Sequence, residues 1–533
     1  MGTNPTTPGS GDAVITIDGT LNVTGGIAGG ITFPLDADDA TAPAGVLIDM
    51  NAGADNVLSI EGANNIFAGQ ASGDGITTGD QNAFFGAFAG YQVADGRRNV
   101  ALGYAALDTN VAGDSNTAIG YGSLGSSTAS GNVAVGHSAL SSNTIGTENT
   151  GIGLNALYEI TTGISNVAVG NQAGRFATAS ENTFIGTQSG FSNGTDFLTG
   201  TDNTFVGYRS GFANTSGASN TFIGDSTGLA TTTGNSNTVL GFEAMSSNTT
   251  GSNNIVIGRE AGSASAVLNT VTIVGVQAGQ NATGTDNTFI GYRAGRVNTS
   301  GASNTFIGDI AGLANTTGDT NTFVGALAGT ANTTGNGNTF LGWNTGSSND
   351  TANDNTYLGW QAGRETTTGG SNVSVGDFAG GNVIDGARNV IVGSESGSAT
   401  TSGVENVFIG DTVAPTNTTG SRNIIMGSAA DNLTATTDDY LNIGNAIYGV
   451  MHDGVGAPAI GDGEANLTID GDITVTGTIT GAVSGSISLP IDADDATSPA
   501  GVVIDINAGA NNFLSYDSAL FNTFLGEETG DSI

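Results

Sequence analysis

The residues best suited to chemistry are two acidic clusters, Asp36, Asp38 and Asp39 in FPLDADDATAPAG and Asp492, Asp494 and Asp495 in LPIDADDATSPAG. Carboxylates gathered on a turn suit the oxygen preference of calcium, so these six are the expected ligands if the chain takes a metal. Neither an EF-hand loop nor the glycine-aspartate nonapeptide of calcium β-rolls accompanies them, and the alternative reading is a solvated acidic turn. The remaining chemical inventory is thin. His137 and His452 each stand without a carboxylate or second ligand at useful spacing and read as ordinary surface residues. The many serines lack a nucleophile elbow or an associated histidine. The glycine-rich strings contain no lysine, which excludes a phosphate-cradling loop. Asp202, Asp286 and Asp354 recur as turn residues rather than as the paired carboxylates of a glycosidase groove. No catalytic residue is assigned, no enzyme is expected, and calcium is the single cofactor expectation.

Composition limits the partners. The 533 residues include 88 glycines, 8 prolines and no cysteine, and the formal charge is −38, from 48 acidic residues and 10 arginines. That charge excludes binding to a phosphate backbone, and the absence of cysteine removes disulfides and thiolate chemistry. No apolar run is long enough to span a bilayer as a helix. The opening MGTNPTTPGSGDAVITID carries neither a basic segment nor an apolar stretch. Export is therefore expected by lysis, by a one-step secretion system, or as a piece of a longer chain.

The element that must position everything else is a repeat. NTFIG at 287, NTFIG at 304, NTFVG at 321, NTFLG at 338 and NTYLG at 355 place a closing glycine at 291, 308, 325, 342 and 359, a period of 17. The glycine can be followed from Gly69 to Gly444, with a few steps of 16 and one of 21 where residues 193 to 202 insert four residues. Counting from the strand-opening asparagine as position 1, the glycine is position 5. Asn287, Gly291, Asn304, Gly308, Asn321 and Gly325 are the structural signature, and the asparagines are expected to stack in a hydrogen-bonded ladder.

Position 4 is apolar in nearly every coil, as in Leu102, Ile185, Ile223 and Ile443, and is expected to be the buried stripe, with position 2 as its period-2 partner. Position 3 is Phe in the middle of the array (Phe289, Phe306, Phe323, Phe340) but Ala or Gly earlier (Ala101, Ala118, Ala134, Gly151, Ala168). It is expected to face a second chain, since an outward aromatic stripe is usually covered. Position 8 is small, which marks close backbone approach, and NTTG-type strings supply turns. Two strands and two turns per coil are expected. A coil of this kind cannot bury a core alone, so stacking must supply it.

The string N-x-x-[IVL]-G-x-x-[AS]-G, as in residues 287 to 295 and 166 to 174, resembles the head repeats of trimeric autotransporter adhesins. That resemblance implies a left-handed parallel β-roll assembled as a homotrimer, although the period of 17 is longer than the one usual there. DDYLNIGNAIYGVMHDGVGAPAIG at 438 to 461, followed by LTIDGDITVTGTI at 467 to 479, is similar to the region of phage tail fibres that precedes a self-cleaving chaperone. The ends are duplicated. ITIDGTLNVTG (15 to 25) matches LTIDGDITVTG (467 to 477), and FLGEETGDSI (524 to 533) matches FAGQASGDGI (67 to 76).

The expected fold is all-β, a parallel β-roll or β-solenoid of about 22 coils, forming a trimeric fibre flanked by two homologous β segments. The expected organisation is an N-terminal segment (1 to 13), a β connector (14 to 63), the array (64 to 444), a linker (445 to 465), a second connector (466 to 520) and the start of a further coil (521 to 533). The expected function is a non-enzymatic, extracellular structural or adhesive fibre on a cell surface. Alternatives are a phage tail fibre, or a filament subunit stacking through its homologous ends. Partners are itself and a surface glycan or receptor. Trp343, Trp360, Tyr208 and Tyr292 could stack on sugar rings, or cover the roll's flank or a subunit interface.

Overall fold

A computed structural model describes residues 64 to 192, 196 to 431 and 434 to 445, together with the backbone of seven strands outside that span. All regular structure among the described residues is β, and the array is a parallel β-solenoid of about 22 turns. It begins with β1 (Val46–Asp49) antiparallel to β2 (Val57–Ile60), which in turn lies antiparallel on β3 (Ile66–Ala68). From β3 onward each coil contributes one strand, from β4 (Ala83–Phe85) to β24 (Ile424–Met426) and β25 (Tyr440–Ile443). Neighbours are parallel and in register: Thr288, Phe289 and Ile290 lie beside Thr305, Phe306 and Ile307. The strands β26 (Ile447–Val450) and β27 (Asn466–Ile469) continue the sheet antiparallel past β25. A separate antiparallel sheet holds β28 (Val502–Asn507), β29 (Asn512–Asp517) and β30 (Asn522–Leu525).

Each coil has one strand, of three residues from β3 to β24, not the two expected. The reason lies in the backbone that follows it. Gly291 has φ 137, Arg293 φ 53, Gly295 φ 57 and Ser303 φ 56, so positions 5, 7, 9 and 17 all have positive φ, outside the extended region. A chain that alternates hand this often cannot stay extended, and it turns instead. The coils are still bonded all the way round. Gly295 N–H donates to Ala311 O at 2.9 Å and Thr299 N–H to Thr316 O at 2.9 Å, while Arg293 N–H reaches back to Val276 O at 3.0 Å. Glycine at position 5 is required twice over. Its φ lies where side chains are rarely tolerated, and a Cβ on Gly291 would run into the carbonyl of Gly308 in the next coil.

The faces are the reverse of the expectation. Phe289, Phe306, Phe323 and Phe340 are fully buried inside a single chain, where consecutive rings stack at 5.1, 4.8 and 4.7 Å. They are therefore not an interface between chains. The aliphatic column at position 4 points outward instead: Ile290 is 36% exposed, Leu341 44% and Leu102 48%. What decides the matter is position 9. In the coils of Phe289, Phe306, Phe323 and Phe340 it is glycine, and a Cβ on Gly295 would come within 2.8 Å of the Phe289 ring. Where position 3 is Ala101, Ala118, Ala134 or Gly151, position 9 is Leu107, Leu124, Leu140 or Leu157, all fully buried. Each of these coils puts one large side chain inside, from one wall or the other, which keeps the interior at constant volume. In these four coils the small residue at position 3 is matched by a large one six residues later; in the coil of Ala168 both positions are small, and Leu157 and Phe184 of the coils on either side lie closest to Gly174.

The four-residue insertion is absorbed without loss of register. Leu198 returns to the interior, fully buried, and forms a bridge parallel to Ala177 in the coil before. Ser192 Oγ closes the base of the excursion on Asp196 O at 2.5 Å.

Candidate functional site

Polar ladders hold the strand edges in place. Asn304 N–H donates to Asn287 Oδ1 at 2.9 Å, and Asn321 N–H to Asn304 Oδ1 at 2.9 Å. Each amide then donates from Nδ2 to the position-15 glycine of its own coil, Asn304 to Gly318 O and Asn321 to Gly335 O, both at 2.8 Å. The expected asparagine ladder is present, with every asparagine named here buried. At Val271 it is interrupted, because that residue takes position 1 and, although its N–H donates to Asn254 Oδ1 at 3.1 Å, has no side-chain amide.

Two further ladders were not read from the sequence, although both repeat in it. At position 12 Asn315 Nδ2 donates to Asn298 Oδ1, and Asn332 Nδ2 to Asn315 Oδ1, both at 2.7 Å. These asparagines open Asn-Thr-Ser and Asn-Thr-Thr triplets of the form that accepts N-linked glycans, but their amides lie inside the solenoid and serve the fold. At position 16 short polar side chains cap the backbone of the coil before: Asp319 Oδ1 accepts from Ala302 N–H, and Asn336 Oδ1 from Asp319 N–H, both at 2.7 Å.

With the interior and the turn edges committed to the fold, the outward strand face stands out as the candidate site. Position 2 is mostly threonine or valine and position 4 Ile, Val or Leu, repeated coil after coil on a regular parallel sheet. Among residues of this face, Val100, Ile185, Ile223, Leu240, Ile255 and Leu358 are exposed. No charged side chain occupies position 2 or 4 from β3 to β24. In a chain of charge −38 an uncharged aliphatic band along a whole flank is a distinct surface.

Aromatic residues at position 6 border this band. Tyr104 stacks on Tyr121 at 5.2 Å and Tyr121 on His137 at 5.0 Å, while Trp343 stacks on Trp360 at 5.4 Å. Both tryptophans are about half exposed. Arg209 lies over the Tyr208 ring at 5.3 Å and Arg293 over Tyr292 at 4.9 Å. These rings are engaged by neighbours in the same chain.

The candidate chemical residues do not converge. His137 Nδ1 is 3.0 Å from Ser138 Oγ. Asp202, Asp286 and Asp354 all take the left-handed position 17, with φ near 60. No two of them occupy adjacent coils, and Ser219 and Ser303 follow the first two at that position. Among the described residues no group of three His, Asp or Glu side chains is placed to hold a metal. The two aspartate clusters, Asp36, Asp38, Asp39 and Asp492, Asp494, Asp495, and His452 lie outside the described residues. Two carboxyl groups are perturbed. Hydrogen bonds from Thr78 and Thr77 hold Asp95 below the usual carboxylate range, and burial pushes Asp108 up. They lie at positions 14 and 10 of neighbouring coils, away from the aliphatic face.

No protein-family model, curated protein or solved structure matches this chain. Among the described residues no helix is long and apolar enough to cross a membrane.

Proposed function

We propose that this protein is a non-enzymatic extracellular fibre whose rods associate side by side, as a homotrimer, through the outward aliphatic face. The observation that carries the reading is the uncharged position 2 and 4 band, which leaves a long apolar stripe in water unless another copy covers it. At about 4.8 Å per coil, some 22 coils give a rod on the order of 100 Å. Such a rod holds a binding surface away from its anchor, which is the task of a cell-surface adhesin or spacer. A glycan or surface receptor is the partner proposed for the outer turns. Because the aliphatic face is spoken for, the aromatic border is where a three-rod bundle would leave side chains accessible.

A phage tail fibre is the second reading, and residues 438 to 479 favour it by their resemblance to tail-fibre sequence. It uses the same rod and the same association.

The test is sedimentation equilibrium of the chain and of an Ile290→Glu, Ile307→Glu variant, which places two carboxylates in the band. The chain is expected to sediment as a trimer, and the variant as a folded monomer with unchanged circular dichroism. A monomeric parent chain, or a variant that stays trimeric, overturns the proposal.

A further inference from the structure

The two ends of the chain carry the same backbone design in the same register. In the first copy Val46 pairs with Ile60, Ile48 with Leu58, and Leu58 with Ala68. In the second Val502 pairs with Tyr516, Ile504 with Leu514, and Leu514 with Leu525. With residues 33 to 56 aligned on 489 to 512, and FAGQASGDGI on FLGEETGDSI after one extra residue in the second copy, these are corresponding residues. β30 is therefore the counterpart of β3, the strand from which the solenoid starts.

The difference lies at the far edge. β3 is bonded to β2 on one side and to β4 on the other, whereas β30 has one pairing partner, β29, among the described residues. We infer that residues 502 to 525 form an initiating module, and that the edge of β30 away from β29 takes a parallel strand from a coil of this chain's own 17-residue repeat. The array in this chain cannot supply that strand from its ends in another copy. Both edges of β3 are occupied, and β25 is held between β24 and β26. The occupant must be a further coil, entering as Ala83–Phe85 enters beside β3.

The physical need for such a module is nucleation. A lone coil buries too little to stand, and bringing two parallel strands together across 17 residues costs loop entropy before any stacking is gained. An antiparallel meander closes through short local connections, forms early, and fixes one strand in its final register. The first coil then adds to an existing edge. β27 performs the complementary task, since it pairs with β26 at the end of the finished array. The segment from β27 to β30 thus holds a strand that continues the finished array and a counterpart of the strand that starts it.

The inference goes beyond the trimeric-fibre reading and does not rest on it. It is tested by extending the full chain after Ile533 with a second copy of residues 77 to 444, so that residues 524 to 533 lead into 77 as residues 67 to 76 do. Rod length is read by electron microscopy, and folding of the added array by resistance to protease. The extended chain is expected to show a second protease-resistant array and a rod of roughly twice the length. In the Leu514→Pro, Ser515→Pro variant of the extended chain, successive prolines remove donors from both edges of β29, and the added array is expected to be digested while the first survives. An added array that stays unfolded in the extended chain overturns the inference. So does one that folds equally well in the proline variant.

Discussion

At the scale of single residues the coil works by matched pairs. Phe306 fills the interior because Gly312 leaves room, and a Cβ on Gly312 would come within 2.5 Å of its ring. Phe306→Ala alone is expected to cost about 3–5 kcal/mol, and Gly312→Leu alone to clash. The double variant reproduces the pairing of Ala101 with Leu107 and should recover most of the loss, a coupling read by a double-mutant cycle from chemical denaturation. Ile310 is a second test. It is β-branched yet sits at φ 49, at a position where Asn155 and Asn344 also occur. Ile310→Asn should raise stability by about 1 kcal/mol, seen as a higher melting temperature. Tyr357 replaces Phe in the ring stack and donates its hydroxyl to Thr366 Oγ1 at 3.0 Å. Burial pushes its phenol well above the ordinary value of 10.0. The folded state therefore holds that proton more firmly than the unfolded chain, so its contribution is complete below pH 10 and falls by about 1.4 kcal/mol per pH unit above it. Melting curves between pH 8 and 11 should show a shallower alkaline loss for Tyr357→Phe than for the parent.

At the scale of the coil, register is the property to protect. Removing residues 304 to 320 deletes one period and lets Asn287 stand beside Asn321. The shortened chain should keep its circular dichroism and melt within a few degrees of the parent, whereas removing residues 304 to 311 should unfold the neighbouring coils. The period, the asparagine ladder and the glycine at position 5 were legible in the sequence because each has a single physical solution. The choice of face was not. Ile at position 4 and Phe at position 3 are both apolar, and hydrophobicity alone cannot say which points inward. The deciding signal was six residues away, in the exchange of Gly295 for Leu107-type residues at position 9, and it requires the geometry of a closed turn to be recognised. The second strand was overread for a related reason. Left-handed Arg293 and Ser303 carry side chains that do not announce a turn, unlike the glycines beside them.

At the scale of the whole molecule, charge opposes the association proposed for the aliphatic face. Rods of charge −38 repel at low ionic strength, and screening at ~0.15 M salt shortens that repulsion to ~8 Å. Association measured by sedimentation should therefore tighten as salt is raised, while an interface built from ion pairs would loosen. The ring of backbone bonds around every coil, described above for Gly295, Thr299 and Arg293, also has a mechanical meaning. A load pulling along the axis from one end meets the coils in series. Each coil released frees 17 residues, roughly 50 Å of new length at ~3.3–3.6 Å per residue less its own thickness. Because the coils are nearly alike, such a tether would lengthen in even steps under tension rather than snap at one weak joint, and could relieve a sudden pull while most of its length stayed stiff.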